Sequence, residues 1–192
     1  MAAFAAWADQ FEDGPLAEAL LRDYDRQSVQ LEGLLLAYAL VNQPSKEFRK
    51  FVVGEISDLN LPHRMEGVLE AATAHLEDMS KLVESLKESA VRLGELAYVE
   101  GTDEDPIGSV AGIITDAIGV DVGLCYKEKG DLVNLSIRSR RGLPFHLGEI
   151  TRQIATRNGG FGGGHKRASG ASIPRGSLGK FIGDLEEALR SS

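Results

Sequence analysis

The segment from Asn158 to Gly170 constrains this chain most strongly, because six of its thirteen residues are glycine. Glycine costs roughly 0.5–1 kcal/mol relative to alanine in regular structure, so this density should bring a compensating benefit. A run of exposed main-chain N–H groups, which glycine permits, forms a concave anion site. The segment therefore predicts an anion-binding loop, with further donors from His165, Lys166 and Arg167. A flexible surface loop is the alternative.

The spacing within this segment excludes two familiar phosphate-binding motifs. A P-loop requires two glycines five positions apart, followed at once by Lys and then Ser or Thr. Gly159 and Gly164 have that separation, but His165 occupies the lysine position. No register provides the Gly-x-Gly-x-x-Gly pattern of dinucleotide-binding domains, and the segment follows a predicted helix instead of a strand.

Positive charge is concentrated close to the glycine-rich segment. The whole chain has a net charge of −8, yet residues 136–167 contain seven basic residues and one acidic residue, Glu149. Because salt screens charges beyond about 8–10 Å, a local basic cluster can attract phosphate on an acidic protein. A solvated basic surface explains the cluster equally well. The basic residues are Arg138, Arg140, Arg141, Arg152, Arg157, Lys166 and Arg167.

Length and composition are those of an ordinary globular protein. The 192 residues, 43% hydrophobic and 26% charged, suffice for one large or two small domains with a hydrophobic core. No apolar run approaches the roughly 20 residues of a membrane-spanning helix, so we expect no membrane partner. Residues 1–7 lack the basic start of a signal peptide, and Cys125 is the only cysteine. These features fit a reducing, cytoplasmic location.

Residues 1–97 are predicted to form an α-helical region. A short amphipathic piece from Ala3 to Phe11 precedes a helix from Pro15 to about Val41, with proline in its first turn. Ser45 is expected to be the N-cap of a third helix through Glu55.

A long amphipathic helix is then predicted from Pro62 to Ala97. Its apolar residues follow a 4–3 spacing over five heptads, which requires a partner surface. That surface is either the other helices of the same domain or a second subunit. The apolar positions are Met65, Leu69, Ala72, Leu76, Met79, Val83, Leu86, Ala90, Leu93 and Ala97.

Residues 98–192 are predicted to form an α/β domain, a small mixed β-sheet flanked by helices. A polar connector with Asp103, Glu104 and Asp105 marks its beginning and is interpreted as a solvated linker. A turn containing Gly130 joins two strands into an antiparallel hairpin. The expected helices are 106–118, 147–157 and 177–190, and the expected strands are 120–127, 132–140 and 171–174.

Two segments of this half carry a family resemblance. Ser-Ile-Arg-Ser at Ser136 to Ser139, then a helix, then Gly-Gly-Gly-His-Lys-Arg-Ala-Ser-Gly at Gly162 to Gly170 resemble the C-terminal substrate-binding domain of DHH-family phosphoesterases. That family includes RecJ-like single-strand exonucleases, oligoribonucleases and cyclic-dinucleotide phosphodiesterases. The resemblance begins at Tyr98 and covers about half of the chain, and the flanking segments look most like archaeal members.

The resemblance implies a phosphate-binding site. Arg138 would reach a phosphate from a neighbouring strand, where a guanidinium can contact phosphate oxygens bidentately. Arg140, Lys166 and Arg167 would supply non-specific attraction. The residues that the resemblance implies for substrate binding are Arg138, Ser139, Gly162, Gly163, Gly164, His165, Lys166, Arg167 and Gly170.

The metal centre of the resembled family is missing from this sequence. Family enzymes hold two Mn²⁺ or Mg²⁺ ions with aspartate clusters and an Asp-His-His signature, which does not occur here. Phosphodiester hydrolysis without metal ions lacks charge stabilisation and an activated water. We therefore expect no catalytic residue and no cofactor on this chain, and Mn or Mg only where a separate DHH domain is present. The isolated histidines are His63, His75, His146 and His165.

Two functions are compatible with these features. The first is binding of single-stranded DNA or RNA, or of a nucleotide, beside a catalytic DHH domain. The second is a non-catalytic assembly protein that forms a homodimer or docks a partner through its helical half. A metal-dependent hydrolase with an unfamiliar site is a third and weaker alternative.

Overall fold

The computed structural model describes residues 14–22, 24–103 and 105–191. The chain forms two compact units, Met1–Lys81 and Leu82–Ser192. Residues 82–97, which the sequence assigns to the helical region, belong to the second unit by their contacts. The predicted piece from Ala3 to Phe11 and the linker residue Glu104 lie outside the described residues.

Proline and capping side chains determine where the helices of the first unit begin. The Asp25 carboxylate accepts a hydrogen bond of 2.8 Å from the Ser28 amide. Ser45 accepts one of 3.1 Å from the Phe48 amide, which confirms its predicted role as an N-cap. None of the helices in the described ranges combines the length and apolar character needed to cross a bilayer. The helices are α1 Pro15–Leu21, α2 Arg26–Asn42, α3 Lys46–Ser57, a 3-10 turn Pro62–Arg64, and α4 Val68–Ser89.

The second unit is an α/β structure with a six-stranded mixed sheet, which confirms the predicted fold class. The strand order is β1-β2-β3-β4-β6-β5, and every neighbouring pair is antiparallel except β2 and β3. The elements are β1 Val91–Leu93, β2 Leu96–Glu100, α5 Ile107–Ile114, a π-helical turn Thr115–Gly119, β3 Val122–Lys129, β4 Leu132–Ser139, α6 Leu147–Arg157, β5 Phe161–Gly164, β6 Ala168–Pro174, a 3-10 turn Arg175–Ser177 and α7 Leu178–Arg190.

The long helix predicted to end at residue 97 is shorter, because α4 ends at Ser89. Two short strands follow, joined by Gly94 at a φ of 60°, a left-handed conformation that suits glycine. The seven-residue apolar spacing continues by coincidence into these strands, where Leu93 and Ala97 lie. The predicted five-heptad stripe is therefore wrong at its C-terminal end.

The two faces of the sheet are covered to different extents. On one face α6 and α7 enclose the main core, in which Leu124, Ile137, Ile154 and Phe181 are buried. On the opposite face α5 packs chiefly over β3 and β4. This difference leaves the β6 and β5 end of the second face less covered by helices.

Burial of Phe181 should therefore contribute much of the stability of the second unit. Phe181 is completely buried, so Phe181→Ala should lower the free energy of unfolding by about 3–5 kcal/mol, measured by urea denaturation. Phe161, which is 72% exposed, provides the matched control, and Phe161→Ala should change it by less than about 0.5 kcal/mol. Equal effects of the two substitutions would contradict the placement of the core.

Candidate functional site

The glycine-rich segment contains β5, a tight connection and the start of β6, and is not the single loop that the sequence predicted. Residues Phe161–Gly164 form β5, the edge strand, and pair with β6 in an antiparallel ladder. The loop prediction was wrong because glycine is uncommon in strand interiors, so its density indicated irregular structure. Lys166 and Arg167 lie in the tight connection to β6, where the His165 amide donates to the Ala168 carbonyl over 2.8 Å.

Most main-chain amides of this segment are used inside the fold, so the predicted cradle of successive free amides is wrong. The amides of Asn158, Gly159 and Gly160 donate to carbonyls at the end of α6. Amides alternate in direction along an antiparallel ladder, so half of those in β5 point toward β6. Because the His165 amide donates to Ala168 of β6, every second amide before it also points toward β6. The Gly162 and Gly164 amides lie between these and point away from β6.

Glycine is required at the end of β5 by conformation and by space. Gly163 and Gly164 have φ angles of 152° and 150°, which side-chain-bearing residues rarely adopt. A Cβ on Gly164 would lie 2.4 Å from the Ala168 carbonyl oxygen. The start of α6 packs on the same point, since a Cβ on Gly148 would lie 2.3 Å from the Gly164 carbonyl oxygen.

The first turn of α6 anchors the connection between β5 and β6. The amides of Leu147 and Gly148 donate to the carbonyls of Lys166 and His165, each over 3.0 Å. The His146 side chain is the N-cap of the helix and accepts a hydrogen bond from the Glu149 amide over 3.3 Å. Because these helix-start amides already have partners, they are not available to an anion.

One face of the sheet carries the side chains that could meet a ligand. Residues paired directly across an antiparallel sheet have their side chains on the same face. A Cβ on Gly108 of α5 would lie 3.0 Å from Arg138 Nη2 and 3.6 Å from Ser136 Oγ, so this is the face that α5 partly covers. We call its paired residues the open face. It comprises three rows: Arg138 and Ala168; Ser136, Gly170 and Gly163; and Asn134, Ser172 and Phe161.

Arg138 is the most distinctive residue of the open face. It is half-buried, and its Nη1 donates to Ser136 Oγ and to the Ile137 carbonyl, each over 3.1 Å, with a longer contact of 3.5 Å to the Ser169 carbonyl. Within the described residues no carboxylate forms an ion pair with it. Burial lowers the pKa of Arg138 from its ordinary value, because desolvation disfavours the charged form.

The structure separates some of the residues that the family resemblance implied for the site. Ser139 is buried and pairs with Val122, which belongs to the core on the other face. Gly162 and Gly164 pair with Ala171 and Ser169, so they too alternate away from the open face. Of the implied site residues, Arg138, Gly163 and Gly170 lie together on the open face. His165, Lys166 and Arg167 are exposed in the connection beside them.

The strand order also corrects the expected distance between Arg138 and the glycines. β6 lies between β4, which carries Arg138, and β5. Gly163 is level with Ser136, two residues from Arg138 along β4. Two strand spacings of about 4.8 Å and two residues of about 3.3 Å therefore place the Arg138 and Gly163 backbones roughly 12 Å apart. A ligand that contacts both must extend over β6.

Sequence reasoning missed four residues of the open face: Asn134, Ser136, Phe161 and Ser172. Ser136 and Ser172 are buried at 7% exposure each, whereas Phe161 is 72% exposed. An alternating strand pattern through Phe161, Gly163 and His165 could have identified Phe161, had the segment been recognised as a strand.

Other candidate groups have local partners. His63 contacts Glu32, the ring of His75 lies 4.9 Å from that of Tyr38, and Asp105 accepts hydrogen bonds from Thr102. Within the described ranges no three His, Cys, Asp or Glu side chains come together as metal ligands.

The second unit is thus an α/β domain whose sheet is covered by helices on one face and carries on the other a half-buried arginine that forms no ion pair with the described residues. Residues 95–191 match the model of the family described as the DHHA1 domain. The chain belongs to this family. No match was found among curated protein sequences.

Solved structures share the fold over most of the chain. The DHH domain of a member of a family of ribosomal proteins aligns with 97% of this chain at 18% identity and a TM-score of 0.65. The pGpG-specific phosphodiesterase PggH from Vibrio cholerae aligns with 96% at 10% identity and a TM-score of 0.58. RecJ from Thermus thermophilus, in complex with Mg²⁺, aligns with 92% at 16% identity and a TM-score of 0.50. The chain spans 48%, 67% and 28% of these three proteins, respectively.

The close packing at the end of β5 predicts that Gly164→Ala destabilises the protein. The new Cβ would clash with the Ala168 carbonyl oxygen, and alanine would have to keep a φ that side-chain-bearing residues rarely adopt. Together these effects should lower the free energy of unfolding by about 1–3 kcal/mol. Gly176→Ala is the matched control, because nothing lies within 4 Å of its Cβ position. Urea denaturation that gives the two variants the same stability would contradict the strand geometry.

Proposed function

We propose that the open face binds the phosphate of single-stranded nucleic acid or of a nucleotide, as the substrate-binding part of a DHH/RecJ-like phosphodiesterase. The observation that carries this proposal is the half-buried Arg138 guanidinium, which makes neutral hydrogen bonds and no ion pair with the described residues. The DHHA1 family assignment and the DHH and RecJ relatives support an accessory role of this kind.

A partly desolvated cation that pairs with no carboxylate in the described part of the chain favours an anionic ligand. Burying a charge costs free energy that a paired anion offsets. Arginine presents five N–H donors, and the hydrogen bonds found for Arg138 all leave from Nη1. The remaining donors can contact phosphate oxygens, which accept charge-assisted hydrogen bonds.

The exposed connection between β5 and β6 supports the same ligand. His165, Lys166 and Arg167 are exposed and adjoin the row that contains Arg138 and Ala168. Their side chains can supply salt-dependent attraction to a phosphate backbone. The neutral floor of the neighbouring row lets such a backbone approach the sheet.

On this proposal the chemistry belongs to a separate catalytic DHH domain that holds Mn or Mg. The chain aligns with 28% of the RecJ protein and 48% of the DHH-domain protein, so its relatives contain further structure. This chain would hold the strand or nucleotide while that domain cleaves it.

Arg138→Gln should weaken binding of a single-stranded oligonucleotide about 10- to 100-fold at low salt, because a charge-assisted contact worth about 1.5–3 kcal/mol is lost. It should also reduce the slope of log K against log salt by about one unit, for every sequence tested. Fluorescence anisotropy across a salt series measures both quantities.

The control for this substitution is Arg152→Gln, since Arg152 is exposed on α6, which covers the other face of the sheet. It should retain binding within about twofold of the unaltered chain. If Arg138→Gln and His165→Ala both bind oligonucleotides and nucleoside monophosphates as the unaltered chain does, the proposed site is wrong.

A second candidate function is a dimerising or partner-docking assembly protein. The observation in its favour is on α4, where Leu69 and Leu76, seven residues apart, are 45% and 49% exposed. Apolar side chains repeated at this spacing form one stripe of a helix and suit a helical partner.

Light scattering distinguishes the two candidates. The assembly function predicts a dimer that dissociates in the Leu69→Gln, Leu76→Gln double variant and no measurable affinity for oligonucleotides. The phosphate-binding proposal predicts that the same double variant binds oligonucleotides with unchanged affinity, because both leucines belong to the first unit.

A further inference from the structure

Phe161 lies on the open face and is not part of the hydrophobic core. It is the first residue of β5 and pairs with Ser172, which in turn pairs with Asn134. Its side chain is 72% exposed, whereas Phe181 in the core is completely buried. A large aromatic ring is therefore presented to solvent beside two polar residues.

The row between Phe161 and Arg138 carries almost no side-chain bulk on β6 and β5. Gly163 and Gly170 pair directly in that row and are both half-buried, with Ser136 at its β4 end. The result is a flat floor with an aromatic ring on one side and a guanidinium on the other.

This layout matches the chemistry of single-stranded nucleic acid. A base has a π-face that stacks on an aromatic side chain, and such stacking is worth about 1–3 kcal/mol per base without requiring a particular sequence. The half-buried Asn134 amide lies in the row of Phe161 and can donate or accept hydrogen bonds at a base edge.

We infer that Phe161 is a base-stacking platform, so that the open face recognises a base-bearing strand and not phosphate alone. This inference rests on the proposed function, because both require Arg138 to hold the phosphate. Phe161 and His165 are four residues apart, about 13 Å along an extended chain. At ~3.4 Å per nucleotide in a stacked strand, about four nucleotide steps cover this distance, so a short oligonucleotide can reach from one end to the other.

The test compares two probes on the full 192-residue chain: a single-stranded hexadeoxyadenylate and an abasic hexamer with the same phosphate backbone. Phe161→Leu, which keeps an apolar side chain but removes the ring, should weaken the base-bearing probe about 5- to 100-fold. Its affinity for the abasic probe should stay within about twofold. Phe161→Trp should restore binding of the base-bearing probe.

Val91→Ala is the matched control, because Val91 is an apolar residue, 49% exposed, on the opposite edge strand of the same sheet. It should bind both probes as the unaltered chain does. Circular dichroism of each variant checks that the fold is retained.

The possible failures can be told apart. If Arg138→Gln weakens both probes while Phe161→Leu weakens neither, the stacking inference is wrong and the phosphate site stands. If Phe161→Leu weakens both probes equally, the ring does not contact a base and the inference is also wrong. If Arg138→Gln weakens neither probe, the proposed function itself fails.

Discussion

The hydrogen bonds from Arg138 Nη1 to Ser136 Oγ and the Ile137 carbonyl hold a positive charge between the sheet and α5. Their acceptors are neutral, and no carboxylate of the described residues pairs with the guanidinium. This placement depends on Gly108, because a side chain there would crowd Nη2. It also depends on α5, which packs chiefly over β3 and β4 on this face, whereas Phe161 of β5 is 72% exposed there. On the proposed function, a charge held in this way would favour an anionic ligand.

The glycines contribute to this arrangement mainly because they have no side chain, and less because they offer main-chain donors. Gly164 lets β5 approach β6 and α6 closely, and Gly163 with Gly170 leaves the middle of the open face flat. Most nearby amides already have partners in the fold, so the proposed anion contacts come from side chains. The cost of glycine in a strand is offset by this access and by the unusual φ angles.

Patterns with one physical meaning were predictable from the sequence, whereas ambiguous patterns were not. The hairpin around Gly130 and the cap at Ser45 were predicted and are confirmed. The glycine-rich segment was predicted as a loop, because propensity alone cannot reveal that β6 provides a ladder for it. The predicted end of the long helix at Ala97 was wrong for a similar reason, because a seven-residue apolar spacing can continue by chance from a helix into strands. Arg138 was found through the family resemblance, whereas Phe161 needed the register of β5.

The most direct test of the central claim follows the side chain of Arg138 itself. In a ¹⁵N-labelled sample, the Nε–H resonance of Arg138 can be observed by NMR during titration with a single-stranded oligonucleotide at low salt. The Arg138 resonance should shift progressively and saturate together with the backbone amides of Gly163 and Gly170. Saturating binding that leaves the Arg138 resonance unmoved, while residues on the exposed sides of α6 and α7 shift, would contradict the account.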